Sequence, residues 1–172
     1  VVEEGAMFTS GYEAIGWAIR RLRTPIYQSP SIWRMGRKTG YRDSMPGMTP
    51  WDKVAEAALI MRIIDRQCRP HQRAAIMAYF TGGTSPETGD LIEWVARDMA
   101  KDRWFVLEVT LNWAKGTPTK HSQRWWARKY RVGQSSVQRW SEGVKKHLED
   151  SFSTAVMVTE EALIESGHVE RK

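Results

Sequence analysis

The chain has 172 residues, 41% of them apolar, nine tryptophans and a net charge of +6, which suits one core-forming domain and is too apolar for a disordered tail. No apolar run reaches the about 18 residues that a membrane span needs, and the single cysteine, Cys68, excludes an internal disulfide and a CxxC zinc cluster. The first residues lack a basic stretch leading into an apolar one, which points away from secretion and toward the cytoplasm.

The first predicted element spans about residues 8–23, where Tyr12, Ile15, Ile19 and Leu22 recur at helical spacing and form one apolar stripe. Pro25 ends it, because the residue before a proline is pushed out of the helical region. Residues 24–49 then carry three prolines and three glycines and read as irregular, long for a loop inside a compact domain. Within that segment Trp33 and Tyr41 alternate with Arg34, Arg37, Lys38 and Arg42. Aromatic planes and cations on a glycine-containing backbone suit single-stranded nucleic acid, where bases stack and phosphates follow charge. They equally suit a solvated loop whose Trp33 folds back on the core.

A sharp helix start follows at Thr49-Pro50, with Asp52 placed for a capping box. Its buried face is either Val54, Ala58, Met61 and Ile64 or Ala57, Ile60 and Ile64, running to about Cys68. Pro70 opens a third helix with Ala74, Ile76, Met77 and Phe80 inward. The turn-rich TGGTSPETG breaks it, and a fourth helix carries Leu91, Trp94, Val95 and Met99. Residues 103–113 are rich in β-branched and aromatic side chains, but their spacing also fits a helix. A lone strand among helices would lack a partner, so helix is predicted. The tryptophans at 94, 104, 113, 126 and 140 read as core. The fold class expected is all-α, divided as 1–48 (helix and basic loop), 49–152 (helical body) and 153–172 (acidic tail or helix).

Charge is unevenly spread. Residues 118–148 hold eight bases and one acid, Glu142; residues 20–42 hold seven bases and no acid; residues 149–172 hold six acids and two bases. Positive blocks of this size mark a polyanion partner or a solvated face. The block at 118–150 also has architecture. Trp126, Ala127 and Tyr130 line a short helix, Val132 sits in a tight connection, and Ser135 or Ser136 starts a second helix with Val137, Trp140, Val144 and Leu148 inward. That pattern is a helix-turn-helix, or an ordinary helical hairpin. Gln134, Ser135, Gln138 and Arg139 stand outward at the start of the second helix, as side chains that read base edges do. Arg131 and Gly133 depart from the usual turn, which has glycine first and a capping hydroxyl second.

PHQRAAIMAYF (70–80) followed by WWARKYRVGQSSVQRW (125–140) resembles the two halves of bacterial sigma factor region 4, separated here by about forty residues that ordinary sigma factors lack. The layout is similar to phage-type and gene transfer agent transcription regulators of the GafA/GafZ type and, more loosely, to phage Q antiterminators. The likeness is strongest over 122–152 and absent from the first twenty residues. It implies contact with promoter-proximal double-stranded DNA and with RNA polymerase, with antitermination of a phage-like operon as its most specific consequence. Carried onto this sequence, base contacts fall on Gln134, Ser135, Ser136, Gln138 and Arg139, and phosphate contacts on Arg124, Arg128, Lys129, Lys145 and Lys146. Trp33, Arg34, Arg37, Lys38, Tyr41 and Arg42 become candidates for nascent RNA or the polymerase. A conventional activator or sigma-like initiation factor, and a small DNA-packaging subunit, share the same motif.

Signals for catalysis are weak. His71, His121, His147 and His168 form no metal-binding pair, no phosphate-binding glycine loop is present, and Cys68 reads as a buried thiol. The expectation is a non-enzymatic transcription regulator without cofactor, cytoplasmic and nucleoid-associated, of undetermined oligomeric state.

Overall fold

A computed structural model describes residues 6–23 and 47–171 and contains seven α-helices and no strand among them. The first, α1 (Gly11–Arg23), buries Ala14, Ile15, Trp17, Ala18 and Ile19. Two members of its expected stripe, Tyr12 and Leu22, are 46% and 43% exposed. The other two, Ile15 and Ile19, are buried as the stripe requires, and the small residues Ala14 and Ala18 are buried beside them.

Helix α2 (Pro50–Gln67) opens on the predicted capping box. The Thr49 hydroxyl accepts from the Asp52 amide at 3.2 Å, and the Asp52 carboxylate accepts from the Thr49 amide at 2.9 Å. Of its two candidate faces, Ala57, Ile60 and Ile64 are the buried one. Helix α3 (Pro70–Thr81) begins on the second proline and stops at Gly82, whose φ of 61° suits a residue without a side chain. Helix α4 (Glu87–Asp98) buries Leu91, Ile92 and Val95. The ambiguous stretch is helical as α5 (Arg103–Lys115), capped by Asp102, whose carboxylate accepts from the amides of Trp104 at 2.8 Å and Phe105 at 3.3 Å.

Two further helices complete the chain, α6 (Gln123–Tyr130) and α7 (Gln134–Glu165). With 32 residues α7 is the spine of the molecule, and α1, α2, α3, α5 and α6 all pack on it. The division expected at 152/153 falls inside this helix, whose Ala155, Thr159 and Leu163 are buried in the shared core. The division at 48/49 is crossed by the packing of α1 on α2. After α7 the chain turns back so that Val169 forms a parallel bridge with Phe8. Of the five tryptophans expected in the core, Trp126 is buried and Trp94, Trp113 and Trp140 are half-buried, but Trp104 is 64% exposed.

Among the described residues no helix is long and apolar enough to cross a membrane, and no group of three His, Cys, Asp or Glu side chains could hold a metal ion. The aromatic and basic stretch holding Trp33, Arg34, Arg37, Lys38, Tyr41 and Arg42 lies outside the described residues.

Candidate nucleic-acid interface

Ser122 caps α6, its hydroxyl accepting from the Trp125 amide at 3.2 Å. The helix lasts eight residues and turns its Trp126 and Ala127 inward, leaving Arg124 and Arg128 exposed one turn apart. Arg131 ends it in the left-handed region (φ 54°, ψ 45°), where its own amide and that of Val132 reach back to the carbonyls of Arg128 and Ala127 at 3.3 and 3.0 Å. Gly133 is extended and caps α7 without a side chain, so the second helix begins at Gln134. Ser135 and Ser136 therefore lie within its first turn. The connection is three residues long, Arg131, Val132 and Gly133.

An aromatic core holds the two helices to α5. Phe105 meets Trp126 edge-on at 5.4 Å and Trp140 edge-on at 6.3 Å. Tyr130 stacks parallel to Trp126 at 5.7 Å and meets Trp140 at 5.8 Å. Such edge and offset contacts each add about 0.5–1.5 kcal/mol beyond area burial. Burial and the adjacent Asp102 carboxylate push the Tyr130 phenol well above its ordinary range. Burial works against ionisation of Asp102, yet the Tyr130 hydroxyl, the amides of Phe105 and Trp104, and the Lys129 charge together hold its carboxyl below the usual value. The Lys129 ammonium, 3.8 Å from the Asp102 carboxylate, brings the end of α6 against the start of α5.

Along the outer side of α7, Ser135, Gln138, Arg139, Glu142 and Lys146 are exposed and Ser136 is half-buried. Arg139 and Lys146 are seven residues apart, two turns, and share one line. Among the described residues Arg124, Arg128, Arg131, Arg139, Lys145 and Lys146 have no carboxylate partner. Three of the expected contact residues are engaged within the chain. Gln138 donates to Glu142 at 3.0 Å, Gln134 donates to Gln123 of α6 at 3.4 Å, and Lys129 sits 3.8 Å from Asp102 with its ammonium over the Trp125, Trp126 and Tyr130 rings. Lys145 lines a cleft of about 190 Å³ between α5 and α7 beside Ser141, Gln123 and His121.

Compared with protein families, curated proteins and solved structures, the chain has no match.

One feature of this region has no signal in residue spacing. His121, which the sequence marks as no part of a metal-binding pair, is held by Glu108 of α5 through a hydrogen bond at Nδ1, and its amide donates to the same carboxylate at 3.1 Å. Its ring stacks on Trp125 at 3.8 Å. The pair fastens the segment before α6 to the face of α5, and only the fold brings positions 108 and 121 together.

Proposed function

We propose that the chain is a double-stranded-DNA-binding regulator of transcription whose duplex-facing surface is the outer side of α6 and the first three turns of α7, acting as a helix-turn-helix. The observation that carries this reading is the set of unpartnered cations Arg124, Arg128, Arg139 and Lys146 on two helices that a three-residue turn and a shared aromatic core hold rigidly. A cation without a carboxylate partner is free to neutralise phosphate and release counterions. Arg139, on the first turns of the second helix, can also reach base edges in a major groove, where arginine pairs bidentately with guanine.

The polymerase-directed part of the proposal, and antitermination as its outcome, rests on the likeness of residues 70–80 and 125–140 to sigma factor region 4. On this reading the protein loads at promoter-proximal DNA and then acts on RNA polymerase. No cofactor is required by it.

Fluorescence anisotropy with duplex DNA over a series of salt concentrations tests the DNA-binding half. The plot of log affinity against log salt is expected to lose about 0.9 in slope for each phosphate-neutralising side chain removed, as in Lys146→Ala. Arg139→Ala is expected to weaken the specific site by about 1–3 kcal/mol. Duplex affinity independent of salt, or unchanged by both substitutions, would refute the assignment. Readthrough of a terminator placed downstream of the bound site then separates an antiterminator from an initiation factor. A mass in solution of many copies would favour a packaging subunit instead.

A further inference from the structure

Helix α5 is apolar on two sides. Phe105, Val106 and Val109 face the core, while Trp104, Leu107 and Leu111 form a second line at three- and four-residue spacing. A helix that is apolar all round belongs under cover, yet Trp104 is 64% exposed. The second line is the ridge between two grooves. One, of about 370 Å³, opens toward α6 and is walled by Trp125, Trp126 and Lys129. The other, of about 290 Å³, opens toward α4 and includes Ile92 and Arg103.

The α6-side groove is held in shape before anything enters it. Trp125, itself 41% exposed, is set by the His121 ring stacked on it, and His121 is set by Glu108. Its one lining acid, Glu108, is already taken by His121. Lys120 on the wall, and Arg124 and Arg128 flanking Trp125 on α6, have no carboxylate partner among the described residues. The result is an apolar trough with a cationic margin.

We propose that the groove between α5 and α6 docks an amphipathic helix of a protein partner, with large apolar anchors on one face and acidic residues flanking them. Exposed tryptophans beside leucines supply the anchor pockets of a helix-in-groove interface, where aromatic side chains carry most of the binding energy. The margin supplies the opposite charge that selects an acidic helix and speeds its arrival. Two other occupants fit less well. Residues 24–46 of this chain hold four bases and one acid, so they repeat the sign of the margin. Unpaired nucleobases stack on open aromatic faces, but one face of Trp125 is already covered by the His121 ring at 3.8 Å and the Lys129 ammonium lies over the same ring. Arg124 and Arg128 belong both to this margin and to the surface assigned to duplex DNA, whereas Trp104, Leu107, Leu111 and Lys120 belong to the groove alone, so Trp104 and Lys120 are the positions that test this proposal apart from DNA binding.

The test uses the full chain labelled at the tryptophan indole nitrogens. It is titrated with two synthetic helices of about four turns that share the same leucine and phenylalanine positions and differ only in glutamate or lysine flanks. Oligouridine is a third probe. The acidic helix is expected to shift the Trp104 and Trp125 indole signals and leave Trp140 in place. The lysine version should bind at least about tenfold more weakly. Trp104→Ala and Lys120→Glu, both on the surface, should each weaken the acidic helix by a similar factor while the thermal melt is unchanged. Equal affinity for both helices means unselective apolar adhesion and overturns the proposal. It is also overturned if oligouridine alone moves the two indoles, if neither helix moves them, or if Trp104 proves to be covered by a second copy of the chain at assay concentration.

Discussion

Glu160 closes over Gly11: its carboxylate accepts the Gly11 amide at 3.1 Å, and a β-carbon added to Gly11 would stand 2.5 Å from the Glu160 Cβ and 2.9 Å from its Cα. The first helix and the last are thus in backbone-level contact. Because backbone cannot swing aside as a long side chain can, Gly11→Ala is expected to cost about 1–3 kcal/mol, seen as a lower midpoint in urea unfolding followed by circular dichroism. A chain ending at residue 152 should fail to give a cooperative transition, since it lacks buried Ala155, Leu163 and Val169. A cooperative melt from that truncation would restore the tail as a separate unit.

Glu142 is the single acid of the 118–148 block, and it stands on the outer side of α7 between Arg139 and Lys146, holding Gln138. Against a polyanion it is repulsive, and the amide it holds is kept from a base edge. Glu142→Gln is expected to tighten duplex binding by about fivefold, about 1 kcal/mol, at low salt. Anisotropy titration measures it. An unaltered Kd would take this side of α7 away from DNA.

Arg131 adopts φ 54° and ψ 45°, a conformation that costs a side-chain-bearing residue about 1–2 kcal/mol. Glycine at this position removes the clash but gains freedom in the unfolded chain. Arg131→Gly is expected to stabilise the protein by up to about 1 kcal/mol, with the thermal midpoint rising. The β-branched Arg131→Val should lower it. The same midpoint for all three would mean that the left-handed turn is not adopted in solution.

Trp94 stacks against both His71, at 4.0 Å, and His147, at 4.7 Å, with Asp98 3.1 Å from the His147 ring nitrogen. Burial, then the charges of Arg69 and His147, lower the pKa of His71 from its ordinary 6.5, with Asp98 opposing them. The unfolded chain therefore takes up this proton first as pH falls. The contribution of His71 to stability is level above 6.5 and declines as pH drops from there toward the lower folded value. Urea unfolding at successive pH values should show a smaller acid-side decline in His71→Phe than in the parent. A steeper one would mean that protonated His71 is favoured in the fold.

The helix starts are legible in the sequence because they are local chemistry. Thr49-Pro50-Asp52 encodes a cap within four residues, and Pro70 marks the next start without reference to anything distant. The inner sides are less legible. Periodicity shows that a stripe exists but not how far each neighbour will cover it, so α2 offers two faces, and α1 buries Ile15 and Ile19 of its stripe together with Ala14 and Ala18 while Tyr12 and Leu22 stay partly open. The cations of the candidate interface can be read as residues, but their availability cannot. Lys129 is drawn to Asp102 and three rings, and Gln138 to Glu142, while Arg139 and Lys146 stay unpaired.

By itself the sequence determined the all-α class, the helix boundaries near prolines and caps, and the concentration of positive charge at 118–148, because each depends on groups within a turn or two of one another. Tertiary structure alone decided that α7 runs unbroken through residue 153, that Glu108 meets His121, and that Trp104 faces outward. Those outcomes depend on which distant helices compete for the same apolar surface, and spacing along the chain carries no record of that competition.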